Sequence, residues 1–253
     1  MNIVLIHGFS SLPAKERLKP LIEKVKKEFP EAKIIIPNYL EKYQKPVILT
    51  AGKKNILEYA KICKDIIEKE KVPGPIFIVG YSLGGILARI SVEKLGINTQ
   101  ALILIGTPNE GIRLNFWEKV LLRLIKRQVI EEILPNSKFL RELNENYERL
   151  NLQTRYYLLA GENDKRVPLW SALGIEFIKS SGSFIGSTDH SGLIPKKPKS
   201  GTAIDVITQI LKKEAGFRSA SFLFTKFGFF DKFNNEASES RSDLERSPYR
   251  LVA

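Results

Sequence analysis

Among the 253 residues there is one cysteine, one methionine and two histidines, and each scarcity removes a class of answers. A lone Cys63 can form no intrachain disulfide, so a reducing compartment, the cytoplasm, is the expected setting. Cys63 lies in an Ile-Cys-Lys-Asp-Ile-Ile stretch with the pattern of an amphipathic helix, where a buried structural thiol is expected and not a nucleophile. No uninterrupted apolar run reaches the roughly 18 residues that a bilayer-spanning helix needs. A cleaved leader is not expected either, because residues 2–6 read as a β-strand running straight into a loop of functional character. With two histidines in all, any chemistry that needs an imidazole base has two candidates, His7 and His190.

Acidic residues are also in deficit. Twenty-eight Asp/Glu face 40 Lys/Arg, for a net charge of +12. Residues 214–253 hold six of each sign, so residues 1–213 carry the whole excess. Their lysines (Lys15, Lys19, Lys24, Lys26, Lys27; Lys53, Lys54, Lys61, Lys64) are interleaved with Glu along helical faces. That is the pattern of a solvated surface, and no nucleic-acid motif accompanies it. Nucleic acid is therefore not an expected partner.

What is present is a set of short Ile/Val-rich runs separated by helical patterns. That alternation predicts an α/β fold built on a mostly parallel sheet flanked by helices. Strands are expected near 2–6, 33–36, 75–80, 100–106 and 155–160, with a weaker one before His190. Helices are expected over about 14–28, 50–71, 84–95 and 201–213. Pro13 suits the first turn of the first helix, Pro20 predicts a kink in it, and Pro73-Gly74 ends the second. Residues 111–150 interrupt the alternation with two helical patterns, 116–125 and 137–143, the latter capped by Ser137. An insertion of that length between strands predicts a helical cap. The sheet pattern is complete by residue 213. Residues 214–253, rich in Phe and then in Ser and charge, read as an appendage whose later part is too polar to bury.

The chemistry sits at Gly80-Tyr81-Ser82-Leu83-Gly84. A G-x-S-x-G between a predicted strand and a predicted helix is a nucleophile elbow, which leaves the Ser82 hydroxyl exposed at the tip of a sharp turn. Glycines flank it because a Cβ would clash where strand and helix nearly meet, and Gly85 adds a further small residue. A serine hydroxyl is a poor nucleophile until a base takes its proton. In chains with such an elbow the order is nucleophile, acid, histidine, which selects His190 and leaves His7 to brace a loop. The acid should follow the strand at 155–160: Asp164 is preferred, Glu162 is the alternative, and Asp189 lies too close to His190 in sequence to face it. The developing oxyanion needs two donors. The backbone N–H groups of Leu83, just after the serine, and Phe9, just after His7-Gly8, are expected to supply them.

Five segments carry a family resemblance: His7-Gly8-Phe9, Gly80 to Gly85, the run Gly106-Thr107-Pro108-Asn109-Glu110-Gly111, Gly161 to Pro168, and Asp189-His190-Ser191-Gly192. Residues 134–144 also resemble a segment common in lipase caps. Together they resemble the α/β-hydrolase superfamily, in its small lipase/esterase branch related to bacterial triacylglycerol lipases and PGAP1-like proteins. The departure is Asn109-Glu110, where lipases usually carry histidine after Thr-Pro. The resemblance implies a serine hydrolase that cleaves carboxylic esters through an acyl-enzyme, without metal or cofactor. Its partner would be a small-molecule ester or lipid, with peripheral membrane contact through the cap or the tail. Two other readings stand beside it. One is an acyltransferase with the same Ser82, Asp164 and His190; the other is a non-catalytic binding module on the same scaffold.

Overall fold

The central segments are near-continuous apolar runs rich in Ile, Leu and Val, as strands buried on both faces require. The computed structural model describes residues 1–9, 13–40, 54–114, 128–149, 153–174, 178–197 and 202–217. Six strands form one sheet: β1 (Asn2–Ile6), β2 (Lys33–Ile35), β3 (Ile76–Tyr81), β4 (Thr99–Ile105), β5 (Arg155–Gly161) and β6 (Gly182–Gly186). Their order is β2-β1-β3-β4-β5-β6, and every pairing is parallel. The chain steps outward from β1 to β2, then returns to the other side of β1 for β3. This reversal opens a crevice beyond the carboxyl ends of β1 and β3, the place where open parallel sheets bind ligands.

Successive side chains alternate between the two faces. One face (Val4, Ile6, Ile78, Leu102, Leu104, Tyr156, Leu158) packs against α3 (Ile56–Lys69), α4 (Leu83–Glu93), α5 (Gln128–Glu132), α6 (Lys138–Arg149) and α7 (Leu169–Leu173). The other (Ile3, Leu5, Phe77, Val79, Tyr81, Ile103, Ile105, Tyr157) packs against α2 (Lys19–Glu28) and α8 (Ala203–Glu214). The start of α3 is fixed by a capping box in which Asn55 Oδ1 accepts from Glu58 N–H at 2.9 Å and Glu58 Oε2 accepts from Asn55 N–H at 2.8 Å.

The helix expected over 14–28 is instead two: α1 (Ala14–Arg17) ends at Leu18, and α2 begins at Lys19. Pro20 falls in the first turn of α2, where its missing N–H leaves no helical bond unmade. It therefore starts a helix and does not kink one. Ser137 caps α6 as expected, accepting from Leu140 N–H at 3.2 Å. The pattern at 116–125, residues 50–53 of the helix expected over 50–71, and most of the tail lie outside the described residues. Helix α8 runs to Glu214, a residue beyond the expected end, and its side chain is buried against Tyr157 and Arg155. Among the described residues no helix is long and apolar enough to cross a membrane.

Candidate active site

Four loops at the carboxyl ends of β1, β3, β5 and β6 converge on Ser82. The turn from β3 into α4 is forced: Ser82 has φ 55° and ψ −126°, a backbone state that costs on the order of 1–3 kcal/mol for a non-glycine residue. The turn is also tight. A Cβ on Gly80 would lie 2.6 Å from the Gly85 Cα, and one on Gly8 would lie 2.6 Å from the Ser82 Cβ. Only glycine at both positions lets strand, helix and the β1 loop meet.

Ser82 Oγ lies 3.0 Å from His190 Nε2, and His190 Nδ1 lies 2.5 Å from Asp164 Oδ2. A carboxylate accepts only, so Nδ1 carries the ring proton and Nε2 is left to accept from the serine. Asp164 is buried, and its second oxygen accepts from the backbone N–H groups of Arg166 (2.9 Å) and Val167 (2.8 Å). Three donors thus fix the position and orientation of the carboxylate. The loops after β5 and β6 are laced together as well. Glu162 N–H donates to the Gly186 carbonyl at 2.9 Å and Asn163 N–H to the Thr188 carbonyl at 3.1 Å, which fixes Asp164 beside the imidazole. The alternative acid, Glu162, points to solvent, and Asp189 Oδ1 accepts from Gly192 N–H at 2.7 Å, a local turn bond.

His7 is elsewhere in role as well as in place. Its Nδ1–H donates to the Gly8 carbonyl at 2.7 Å and its ring stacks on Tyr39 at 4.5 Å, while Tyr39 donates to the His7 carbonyl at 2.7 Å. Burial holds its pKa below the ordinary imidazole range, so it is neutral. Its Nε2 is buried without a hydrogen-bond partner among the described residues. The result is a braced loop that presses Gly8 against Ser82 and places Phe9 next in line. Leu83 begins α4, so its N–H has no carbonyl four residues back to bond. Among the described residues no group of three or more His, Cys, Asp or Glu is arranged to hold a metal ion.

A second constellation joins helix α4 to α6, and the sequence did not announce it. Arg89, fully buried on α4, pairs through Nε with Glu93 Oε1 at 2.8 Å and through Nη2 with Oε2 at 3.2 Å. Its Nη1 donates to Asn144 Oδ1 on α6 at 2.8 Å and to Asn109 Oδ1 at 3.3 Å. Asn144 in turn donates to the Asn109 carbonyl, Asn109 to the Ala172 carbonyl, and Tyr156 to Glu93. The signal was α4 itself: a helix apolar on every side is buried all round, so charges on it must be paired inside. The Asn109 that departs from the lipase pattern is a hub of this network.

A parallel sheet with a serine elbow after β3 and a histidine loop after the last strand defines an α/β hydrolase. More narrowly, the chain matches the palmitoyl protein thioesterase family over residues 2–167 and belongs to that family. It is a hydrolase of the class that acts on esters or thioesters. Among solved structures it is similar to the mature form of the Bacillus licheniformis lipase BlEst2 (17% identity, 83% of this chain and 91% of that one, TM-score 0.60). It is similar also to a meta-cleavage product hydrolase from Pseudomonas fluorescens IP01 (14% identity, 85% and 90%, TM-score 0.59). A third is a lipase-esterase related protein from Clostridium acetobutylicum ATCC 824 (15% identity, 84% and 93%, TM-score 0.54). At these identities the likeness is one of fold. No curated protein sequence matches the chain.

Proposed function

We propose that the protein is a serine hydrolase that cleaves carboxylic esters or thioesters through an acyl-enzyme on Ser82. The observation that carries this reading is the unbroken line from Ser82 Oγ through both nitrogens of His190 to buried Asp164, at 3.0 and 2.5 Å. In the first half-reaction His190 Nε2 takes the Ser82 proton as Oγ attacks the acyl carbonyl carbon. The imidazolium that forms is stabilised by Asp164, and the carbonyl oxygen, now negative, is received by the N–H groups of Leu83 and Phe9. Collapse expels the alcohol or thiol, protonated by His190 where it needs a proton. Water, deprotonated by the same nitrogen, then attacks the acyl-serine and releases the acid, restoring Ser82.

The neutral, braced His7 supports the assignment of Phe9 as a donor, because a loop held to Ser82 is already in place when the charge develops. The substrate would be a small ester, thioester or lipid. A membrane contact would fall to the cap, about 111–150, or the tail, 214–253, of which 115–127, 150 and 218–253 lie outside the described residues. The single cysteine, which can form no intrachain disulfide, supports a reducing compartment; Cys63 itself is buried, with its pKa raised by burial, and is a structural thiol.

The test is fluorophosphonate labelling of wild type and Ser82→Ala, with turnover of p-nitrophenyl butyrate and a butyryl thioester. Wild type should be labelled at Ser82 and turn over at least one of the two substrates. Ser82→Ala should lose label and on the order of 10⁴-fold or more in rate while unfolding at the same temperature. Labelling of Ser82→Ala at the wild-type rate would overturn the assignment.

A further inference from the structure

Tyr81 occupies the variable position of the elbow, one residue before Ser82 and on the opposite face of β3 from α4. Its ring stacks on the His190 imidazole, centroids 5.2 Å apart and planes at 29°. Its hydroxyl donates to the His190 carbonyl at 2.9 Å and accepts from Arg17 Nη2 at 2.7 Å. Arg17, the last residue of α1, donates through Nη1 to the Ile194 carbonyl at 2.7 Å, and its Nη2 reaches the Ser191 carbonyl at 3.5 Å. The guanidinium carbon sits 4.6 Å from the Tyr81 ring centroid. Residues 190 and 194 flank the 3₁₀ turn Ser191–Leu193, so the Arg17–Tyr81 pair holds both ends of the turn that carries His190.

We propose that Arg17 and Tyr81 are positioning residues that hold His190 in register with Ser82. His190 lies beyond the end of β6, where no strand ladder restrains its backbone. Proton transfer needs its Nε2 within hydrogen-bond reach of Ser82 Oγ while Nδ1 stays on Asp164. Fastening the His190 carbonyl to the residue next to the nucleophile makes one rigid strand end set the spacing of both groups. A cation serves the outer end of the clamp because it donates to two backbone carbonyls and the phenol from one planar fork. Burial pushes the Tyr81 phenol pKa up against the opposing pull of Arg17, so the hydroxyl keeps the proton it donates.

This inference rests on His190 being the base, and the experiment separates the two. Tyr81→Phe keeps the ring and drops the hydroxyl; Arg17→Met keeps the aliphatic stem and drops the fork. Each is assayed for kcat and KM on p-nitrophenyl butyrate and on the butyryl thioester, for thermal unfolding, and for the downfield proton resonance of His190 Nδ1–H. Misplacing the base without disturbing the substrate pocket should lower kcat on the order of 10- to 100-fold at unchanged KM. The resonance should shift or broaden in both variants. The double variant should be no slower than the slower single one, since both act through one path. Arg17→Lys should recover part of the loss. An unchanged kcat with an unmoved resonance would overturn the clamp, and so would a raised KM at wild-type kcat. If wild type took no label at Ser82, the hydrolase reading would fail, while the resonance would still report on the clamp.

Discussion

Helix α4 begins at one buried polar constellation and ends in another, and the two are built to opposite rules. Around Ser82 the line is open: the serine is half-buried, and the His190 side chain keeps 18% of its exposure. Its hydrogen bonds run in one file, so a proton has somewhere to go. Around Arg89 the network is closed: Arg89 and Glu93 side chains have 0% exposure, and their bonds branch to α6, β5 and the Asn109 loop. Nothing there can exchange with solvent or substrate. An open file suits proton transfer, whereas a closed, fully partnered cluster suits the fixing of one helix, α6, onto another, α4.

The comparison makes opposite demands of substitutions in the two places. The largest effect on turnover should come from His190→Ala, on the order of 10⁴-fold and comparable to the loss of Ser82, with a smaller stability loss than at Arg89 because Asp164 keeps two backbone donors. Next, Arg89→Met should lower stability by about 3–5 kcal/mol in urea unfolding, because it strands the Glu93 carboxylate in the interior. The double change Arg89→Met, Glu93→Leu should recover part of that loss. Its kcat per folded molecule should stay near wild type. A folded Arg89→Met protein of wild-type stability, or one losing turnover as His190→Ala does, would collapse the distinction.

How legible each constellation was follows from the same contrast. The open one draws residues from the ends of four strands, and each end carries a local mark: glycines around Ser82, a turn at Gly161 to Pro168, a histidine in a polar loop. Chain order then reduced two histidines to one, and the structure brings Ser82, His190 and Asp164 into a single file. The closed one carries no such marks. Arg89 and Glu93 stand four apart on a helix, as surface pairs do throughout this lysine-rich chain, and only the apolar ring around α4 says otherwise. Arg17 was hidden for another reason. A helix continuous over 14–28 gives it no special place, whereas the break at Leu18 makes it the last residue of α1, with its guanidinium on the His190 turn. The sheet was read well because β-branched runs mark strands locally, while the break at Leu18 depends on packing.

A third polar cluster, at the far end of the sheet, is buried at Tyr157 and Glu214 but open to water at Arg155, and it too serves stability. Glu214 accepts from the Tyr157 hydroxyl and pairs with Arg155, each at 2.5 Å, and Gln100 donates to its carbonyl. Burial, with Glu214 beside it, raises the Tyr157 pKa. Glu214→Ala should cost about 1–3 kcal/mol by leaving the Tyr157 hydroxyl buried without its acceptor. Turnover should be unchanged. A cut after Lys213 removes the same contact and should lower the unfolding midpoint for that reason, though the sheet pattern is complete by then.

His7 sits between the two kinds, buried like Arg89 yet beside Ser82, and it gives stability a pH dependence. Its pKa is lower folded than the 6.5 of a free imidazole. Below that value the unfolded chain binds a proton that the folded chain refuses. Stability is therefore whole above pH 6.5 and falls as pH drops through the folded pKa. Urea midpoints measured from pH 8 to 5 should decline more steeply in wild type than in His7→Asn. Parallel curves would mean that His7 is protonated at no cost.

The smallest effect should be at Glu162, and it is the most discriminating within the open file. Glu162 and Asp164 leave the same strand two residues apart, and chain order alone admitted both. Their surroundings differ in every respect that matters to an imidazolium. The Asp164 carboxylate is buried, takes two backbone donors on one oxygen and spends the other on His190, whereas the Glu162 side chain faces water. A charge in water is screened and unoriented; a charge fixed at hydrogen-bond distance holds the ring tautomer and offsets the positive charge that forms. Asp164→Asn should therefore fall between wild type and His190→Ala in turnover, since the amide can offer a donor to Nδ1 and favour the wrong tautomer. Glu162→Gln should stay within about 2-fold of wild type, as surface substitutions away from a site do. The two are read side by side on p-nitrophenyl butyrate and the butyryl thioester. The reverse ranking would move the acid to Glu162 and leave the three backbone and side-chain bonds of Asp164 as a turn without a catalytic purpose.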